Sequence, residues 1–259
     1  MAARDWAGRP SRAALRYTVL AAWFAGGLLA APDAMAGDVY AFTGFSGSSI
    51  ALYGVQGLIY TPLSGLGETG PIARLWMESS YFDYQTSVRL YRDVGMDVTI
   101  HALGTGGSVE AGYQIAGDTY RLAGFLGAVY RDYVLTPVDE RSDLNGSTVG
   151  VKVVAEGHAY PFDGWGAGGY ASYITGVDEY WVQIRPGYRW TSGLAIGIDA
   201  ALWGGEDYRY ARAGLFAQGF EVDLLGMGRI FLGGEAGMLT DTDLDKHSPF
   251  GGLNLGFFF

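Results

Sequence analysis

The chain ends Leu253-Asn254-Leu255-Gly256-Phe257-Phe258-Phe259. Read backwards, every second residue (Phe259, Phe257, Leu255, Leu253) is large and apolar. A period of two specifies a strand with one greasy face. Water-soluble chains rarely finish this way, because termini are usually polar and frayed. A closing strand whose outer face meets lipid has every reason to do so, and lipid admits strands only as closed barrels.

The opening residues point to export. Arg4, Arg9, Arg12 and Arg16 form a basic stretch, Val19 to Ala31 is apolar, and Ala34-Met35-Ala36 offers a small-x-small cleavage site before Gly37. The expectation is a cleaved secretory signal over 1–36 and a single domain over 37–259. The tail resembles the C-terminal strand of bacterial outer-membrane β-barrels, where a final Phe is the mark read by the assembly machinery. With the signal, that resemblance implies export through the inner membrane to the cell outer membrane, with outer-membrane lipid as a partner.

Composition narrows the class. The segment 1–36 holds four of the 17 basic and two of the 27 acidic residues, which leaves 13 against 25, a net −12. So acidic a chain does not suit nucleic acid or an anionic membrane surface. There are only two lysines, Lys152 and Lys246, where secreted soluble domains carry many. The absence of Cys excludes disulfides and Cys-ligated metals. Past the signal no run of 18 apolar residues occurs, so no helix is expected to cross a membrane.

Patterning gives an all-β reading: one transmembrane antiparallel barrel of about twelve strands. Strands are expected near 49–61, 72–84, 86–103, 108–116, 120–133, 147–160, 166–175, 180–190, 194–203, 209–220, 229–239 and 250–259. Long connections at 62–71, 134–146 and 240–249 alternate with short ones around Gln85, 117–119, 161–165 and 191–193, and 221–228 is a longer turn. This parity places the long loops outside and both chain ends on the periplasmic side.

Alternation assigns the faces. Val149, Val151, Val153 and Ala155 fall outside, opposite Lys152, Val154, Glu156, His158 and Tyr160 inside. In 86–103 the outer face reads Val88, Leu90, Val94, Met96, Val98 and Ile100, against Arg89, Tyr91, Asp93, Asp97, Thr99 and His101, with Arg92 an outer violation beside a bulge at Gly95. The same parity turns Arg74, Glu78, Glu110, Arg121, Arg131, Arg185, Arg189, Asp199, Arg212, Arg229 and Glu235 inward, since an Arg at the lipid midplane costs about 2–4 kcal/mol. Tyr60, Tyr81, Tyr130, Tyr160, Tyr180, Trp190 and Tyr208 near strand ends fit interfacial girdles. A secreted soluble barrel would alternate too, with the apolar face inward. The Phe ending, the Lys poverty and 42 glycines weigh against it.

Three motifs invite chemistry. Gly65-Leu66-Gly67-Glu68-Thr69-Gly70 spells a dinucleotide fingerprint, but a strand rather than a helix follows, so it is a hairpin loop. Asp241-Thr242-Asp243-Leu244-Asp245 begins like a calcium loop, but Lys246 and Gly252 stand where a Gly and a Glu are needed, so no metal site is expected. His101, His158 and His247 lack the Ser two residues on that barrel lipid hydrolases carry, and no catalytic residue is assigned.

Tyr53 to Thr86 (YGVQGLIYTPLSGLGETGPIARLWMESSYFDYQT) and Trp203 to Gly219 (WGGEDYRYARAGLFAQG) resemble segments of the BcsS-type cellulose biosynthesis proteins. The resemblance implies a non-catalytic, cofactor-free outer-membrane component accompanying cellulose synthesis and secretion, with cellulose or the synthase complex as partner. Aromatic faces stack on sugar rings and charged groups bond hydroxyls. The lumen candidates for glucan contact are therefore Trp76, Trp181, Trp203, Arg74, Arg185 and Arg189. Interior aromatics and charges also simply fill a narrow barrel, and twelve strands fall below the 16–18 of open porins. A small-solute channel and, behind it, a lipid hydrolase are the alternatives.

Overall fold

The computed structural model describes residues 38–91, 94–140, 142, 144–223 and 229–258. The expected signal segment, Arg92 and Phe259 lie outside them. The described chain is all strand: β1 (Asp38–Ser48), β2 (Ala51–Thr61), β3 (Gly70–Tyr91), β4 (Val94–Gly117), β5 (Tyr120–Thr136), β6 (Gly146–Phe162), β7 (Trp165–Ile174), β8 (Glu179–Arg189), β9 (Ala195–Gly204), β10 (Arg209–Asp223), β11 (Arg229–Asp241) and β12 (Lys246–Phe258). Each strand pairs with its sequence neighbours, and β1 pairs with β12 from Tyr40↔Phe258 to Ser48↔Phe250, closing the barrel.

The count agrees with expectation, but two strand assignments do not. β1 was not expected, because both its faces carry bulk: Tyr40 and Phe42 pack inside while Val39, Ala41 and Phe45 alternate with them, so period-two contrast is lost. The Ser48 hydroxyl accepts the amides of Ile50 and Ala51 and sets the tight turn into β2. Conversely, the expected breaks at Gln85 and 104–107 are absent, and three expected strands are two long ones. Gly104 is not a breaker: a Cβ there would lie 2.4 Å from the Tyr133 ring. The glycine makes room for a neighbour across the ladder.

The unbroken β4 also corrects a face. With no bulge between them, Ile100 and Glu110 must point the same way, so Ile100 is inside at 2% exposure and His101 is outside. The loop 62–69 moves as well. It joins β2 to β3 at the end holding Asp38 and Phe258, not at the end of loops 137–145 and 242–245. Its Gly67 takes φ 104°, and Glu68 N–H donates to Gly65 O at 3.0 Å, a hairpin loop as expected.

Outward residues form an apolar band: Val109, Leu126, Val149 (74% exposed), Ile184, Ile198, Leu215 and Leu253 (70%). Trp165, Phe162, Trp190 and Tyr120 rim it at the terminus end, and Tyr130 and Tyr173 at the other. Tyr160 and Tyr208, expected in the girdles, point inward instead: Tyr208 is buried and donates to Glu179 at 2.9 Å. At the far end the polarity inverts. Phe82, Tyr84, Ile100, Leu135, Tyr208, Tyr210, Leu239 and Phe250 cluster inside as an apolar plug. Outside them, Tyr81 and Asp83 meet His101. Beyond Phe82 and His101 the neighbouring ladders stop, and β3 and β4 continue alone as a two-stranded ribbon.

Candidate functional site

Alternation places the inward charges, and the antiparallel register brings them together. Arg74 on β3 lies opposite Glu110 on β4; its Nε donates at 2.9 Å, and its Nη1 reaches Glu156 at 2.7 Å. Arg131 pairs with Glu78, and its Nε lies 3.1 Å from Glu179. Lys152 Nζ stands 3.4 Å from Glu110. The Tyr53 hydroxyl donates to Glu78 at 2.6 Å, and Tyr133 donates to Glu179. The opposite wall carries a second network. Arg185 holds Asp199 at 2.7 Å and also Glu235, and Arg212 holds the same two acids at 2.8 and 2.7 Å. Arg74 and Glu110 side chains are 1% and 0% exposed. Stripping one partner from so buried a pair costs about 3–5 kcal/mol.

Between the two networks lies a cavity of about 250 Å³, walled by Tyr53, Trp76, Tyr170, Trp181, Trp203 and Arg185 among others. Of the expected glucan contacts, Trp76, Trp181, Trp203 and Arg185 share it. Arg74 sits behind Trp76, with its Cζ 4.7 Å from the ring. Arg189 is set apart, with its Nη1 3.4 Å from His158 Nε2 and its Cζ 5.8 Å from the Tyr160 ring. The aromatic faces have partners within the chain. Tyr53, Trp181, Trp203 and Tyr210 form a column with successive centroid distances of 5.3, 4.6 and 5.6 Å. Trp76 takes Lys152 Nζ at 4.9 Å and Phe42 at 5.0 Å. Sequence reasoning missed Tyr53, Tyr170 and Tyr208 here. Tyr53 has the face of Glu78 by register, but only the β2–β3 ladder reveals it.

Apolar clusters flank the charged zone at either end. The plug stands above it, and Ile59, Ile72, Ala123, Phe125 and Val154, with Tyr40 and Phe42, form a second layer on the β1–β6 side below. The histidines stand apart from one another: His101 Nδ1 is 2.7 Å from Asp83, His247 Nδ1 is 2.9 Å from Thr240 Oγ1, and His158 meets Arg189. None has a Ser hydroxyl in hydrogen-bond contact among the described residues. In the loop 241–245, Asp241 Oδ1 accepts the amides of Asp243 and Leu244 at 3.1 Å each, capping its own turn. No cluster of three or more His, Asp or Glu able to hold a metal occurs among the described residues.

Two solved structures give distant comparisons. The chain is similar to the translocator domain of autotransporter NalP from Neisseria meningitidis at 15% identity and TM-score 0.44, over 95% of each chain. It is also similar to the low-pH structure of Pseudomonas putida OprB at 9% identity and TM-score 0.30, over 86% of this chain and 92% of that one. No curated protein matches. The family model for cellulose biosynthesis protein BcsS matches residues 40–259. That span takes in the closing ladder and both lumen networks, so the chain belongs to the BcsS family of cellulose biosynthesis proteins.

Proposed function

We propose that this barrel is a non-catalytic component of the bacterial outer membrane that accompanies cellulose synthesis and secretion without itself conducting the polymer. The observation that carries the reading is the occupied lumen. A glucan strand needs a continuous polar bore, whereas here an apolar plug sits on two ion-pair networks whose members bond one another. The apolar band outside and the charges inside suit a lipid surround. An anchoring or assembly role for the synthesis and export machinery follows, with the synthase complex as partner and outer-membrane lipid as solvent. Of the six residues expected to contact cellulose, Trp76, Trp181, Trp203 and Arg185 share the cavity. Arg74 and Arg189 belong to other surroundings.

The test is cellulose output, by dye binding and cellulase-sensitive mass, in a strain lacking the chain, with outer-membrane fractionation of the tagged protein. Loss of extracellular cellulose with an active synthase supports the reading. Normal cellulose with altered small-solute uptake overturns it in favour of a channel.

A further inference from the structure

Seven inward cations can be followed from partner to partner along the lumen. Five of them, Arg74, Arg131, Lys152, Arg185 and Arg212, reach carboxylates. Arg121 and Arg189, near the end that holds Asp38 and Phe258, have no carboxylate partner among the described residues. Arg121 lies opposite His158 in the β5–β6 ladder, and its Nε is buried without a hydrogen-bond partner. A buried donor left without a partner is destabilising, and a bound acceptor removes that cost. Arg189 reaches the same histidine from β8, its Nη1 donating to Nε2 at 3.4 Å. A permanently charged guanidinium donates only, so His158 accepts here as a neutral ring.

The arrangement turns two positive charges toward one imidazole, and no carboxylate among the described residues pairs with either. The nearest inward acid on the same strand, Glu156, is spent on Arg74 at 2.7 Å. Gly168 stands opposite His158 on β7 and sends no side chain into the lumen beside the ring. Tyr160 flanks the space, its ring 5.8 Å from His158.

We propose that this vestibule is an anion-binding site, in which Arg121 and Arg189 clamp one phosphate or carboxylate group beside His158. Guanidinium forks match both anions in geometry, and charge-assisted hydrogen bonds are about twice as strong as neutral ones. The anion satisfies the buried Nε of Arg121 and relieves the repulsion between the two guanidinium groups. The site is independent of the cavity between the ion-pair networks, and of whether cellulose is involved.

The experiment titrates the purified full-length barrel in neutral detergent with inorganic phosphate, and separately with acetate, by calorimetry at fixed ionic strength. Saturable binding near one anion per barrel is expected, weakened at least tenfold in Arg189→Gln and in Arg121→Gln but unchanged in Lys246→Gln. Arg189 is exposed, so its variant is expected to fold even where Arg121→Gln does not. Phosphate alone binding assigns a phosphate-bearing ligand, and acetate binding as well assigns a carboxylate-bearing one. Heats that do not saturate, or that survive in Arg189→Gln, overturn the site.

Discussion

Arg74 illustrates how a narrow lumen fixes a single side chain: its guanidinium meets acids on two other strands, Glu110 and Glu156. Arg74→Met strips the buried Glu110 of its closest cation, leaving it Lys152 at 3.4 Å, and frees Glu156 as well; it is expected to cost about 3–5 kcal/mol in a urea unfolding series followed by heat-dependent gel mobility. Gly104→Ala should destabilise by about 1–3 kcal/mol in the same assay, since its methyl meets the Tyr133 ring. The inward placement of Arg74 and Glu110 was legible, because charge in a spanning strand has one tolerable face. That Arg185 lines the cavity while Arg189 stands apart was not. Both share a strand and a parity, and only height along the barrel axis separates them.

At the scale of elements, β3 and β4 carry the main lesson. Glycine-rich stretches read as turns when judged alone, yet an inward glycine can be demanded by a large side chain on the next strand, a partner that single-strand reasoning never sees. The same limit hid β1, whose inner face lies in an apolar layer and so lacks contrast with its outer one. The ribbon that β3 and β4 form past Phe82 pairs only with itself. Replacing 87–98 by a two-residue turn should therefore leave a folded, heat-modifiable barrel, with a midpoint in urea close to that of the parent. By contrast, Leu126→Arg places a charge in the outer band and is expected to lower stability by about 2–4 kcal/mol when unfolding is measured from lipid vesicles.

For the molecule as a whole, the plug and the ion-pair networks fill the lumen around a cavity of about 250 Å³. Planar bilayers holding the purified protein should show no steady conductance. Joint truncation of Phe82 and Tyr208 to Ala should open measurable events, because both rings belong to the apolar plug and pack with centroids 4.1 Å apart. Conductance in the parent protein would sink the occupied-lumen account. The inversion of polarity along the axis also acts as a ruler. On β4 the outward face from Leu103 to Ile115 carries no charge and is apolar but for Thr105, whereas Asp97, Thr99 and His101 are polar. At ~3.3 Å per residue and a tilt of ~40°, that stretch spans about 30 Å of membrane normal. A bilayer of that hydrocarbon thickness leaves His101 and Asp83 just clear of the acyl chains. Thicker lipid must thin around the protein or draw those polar groups inward, so acyl-chain length becomes a dial on how far the ribbon stands above the surface.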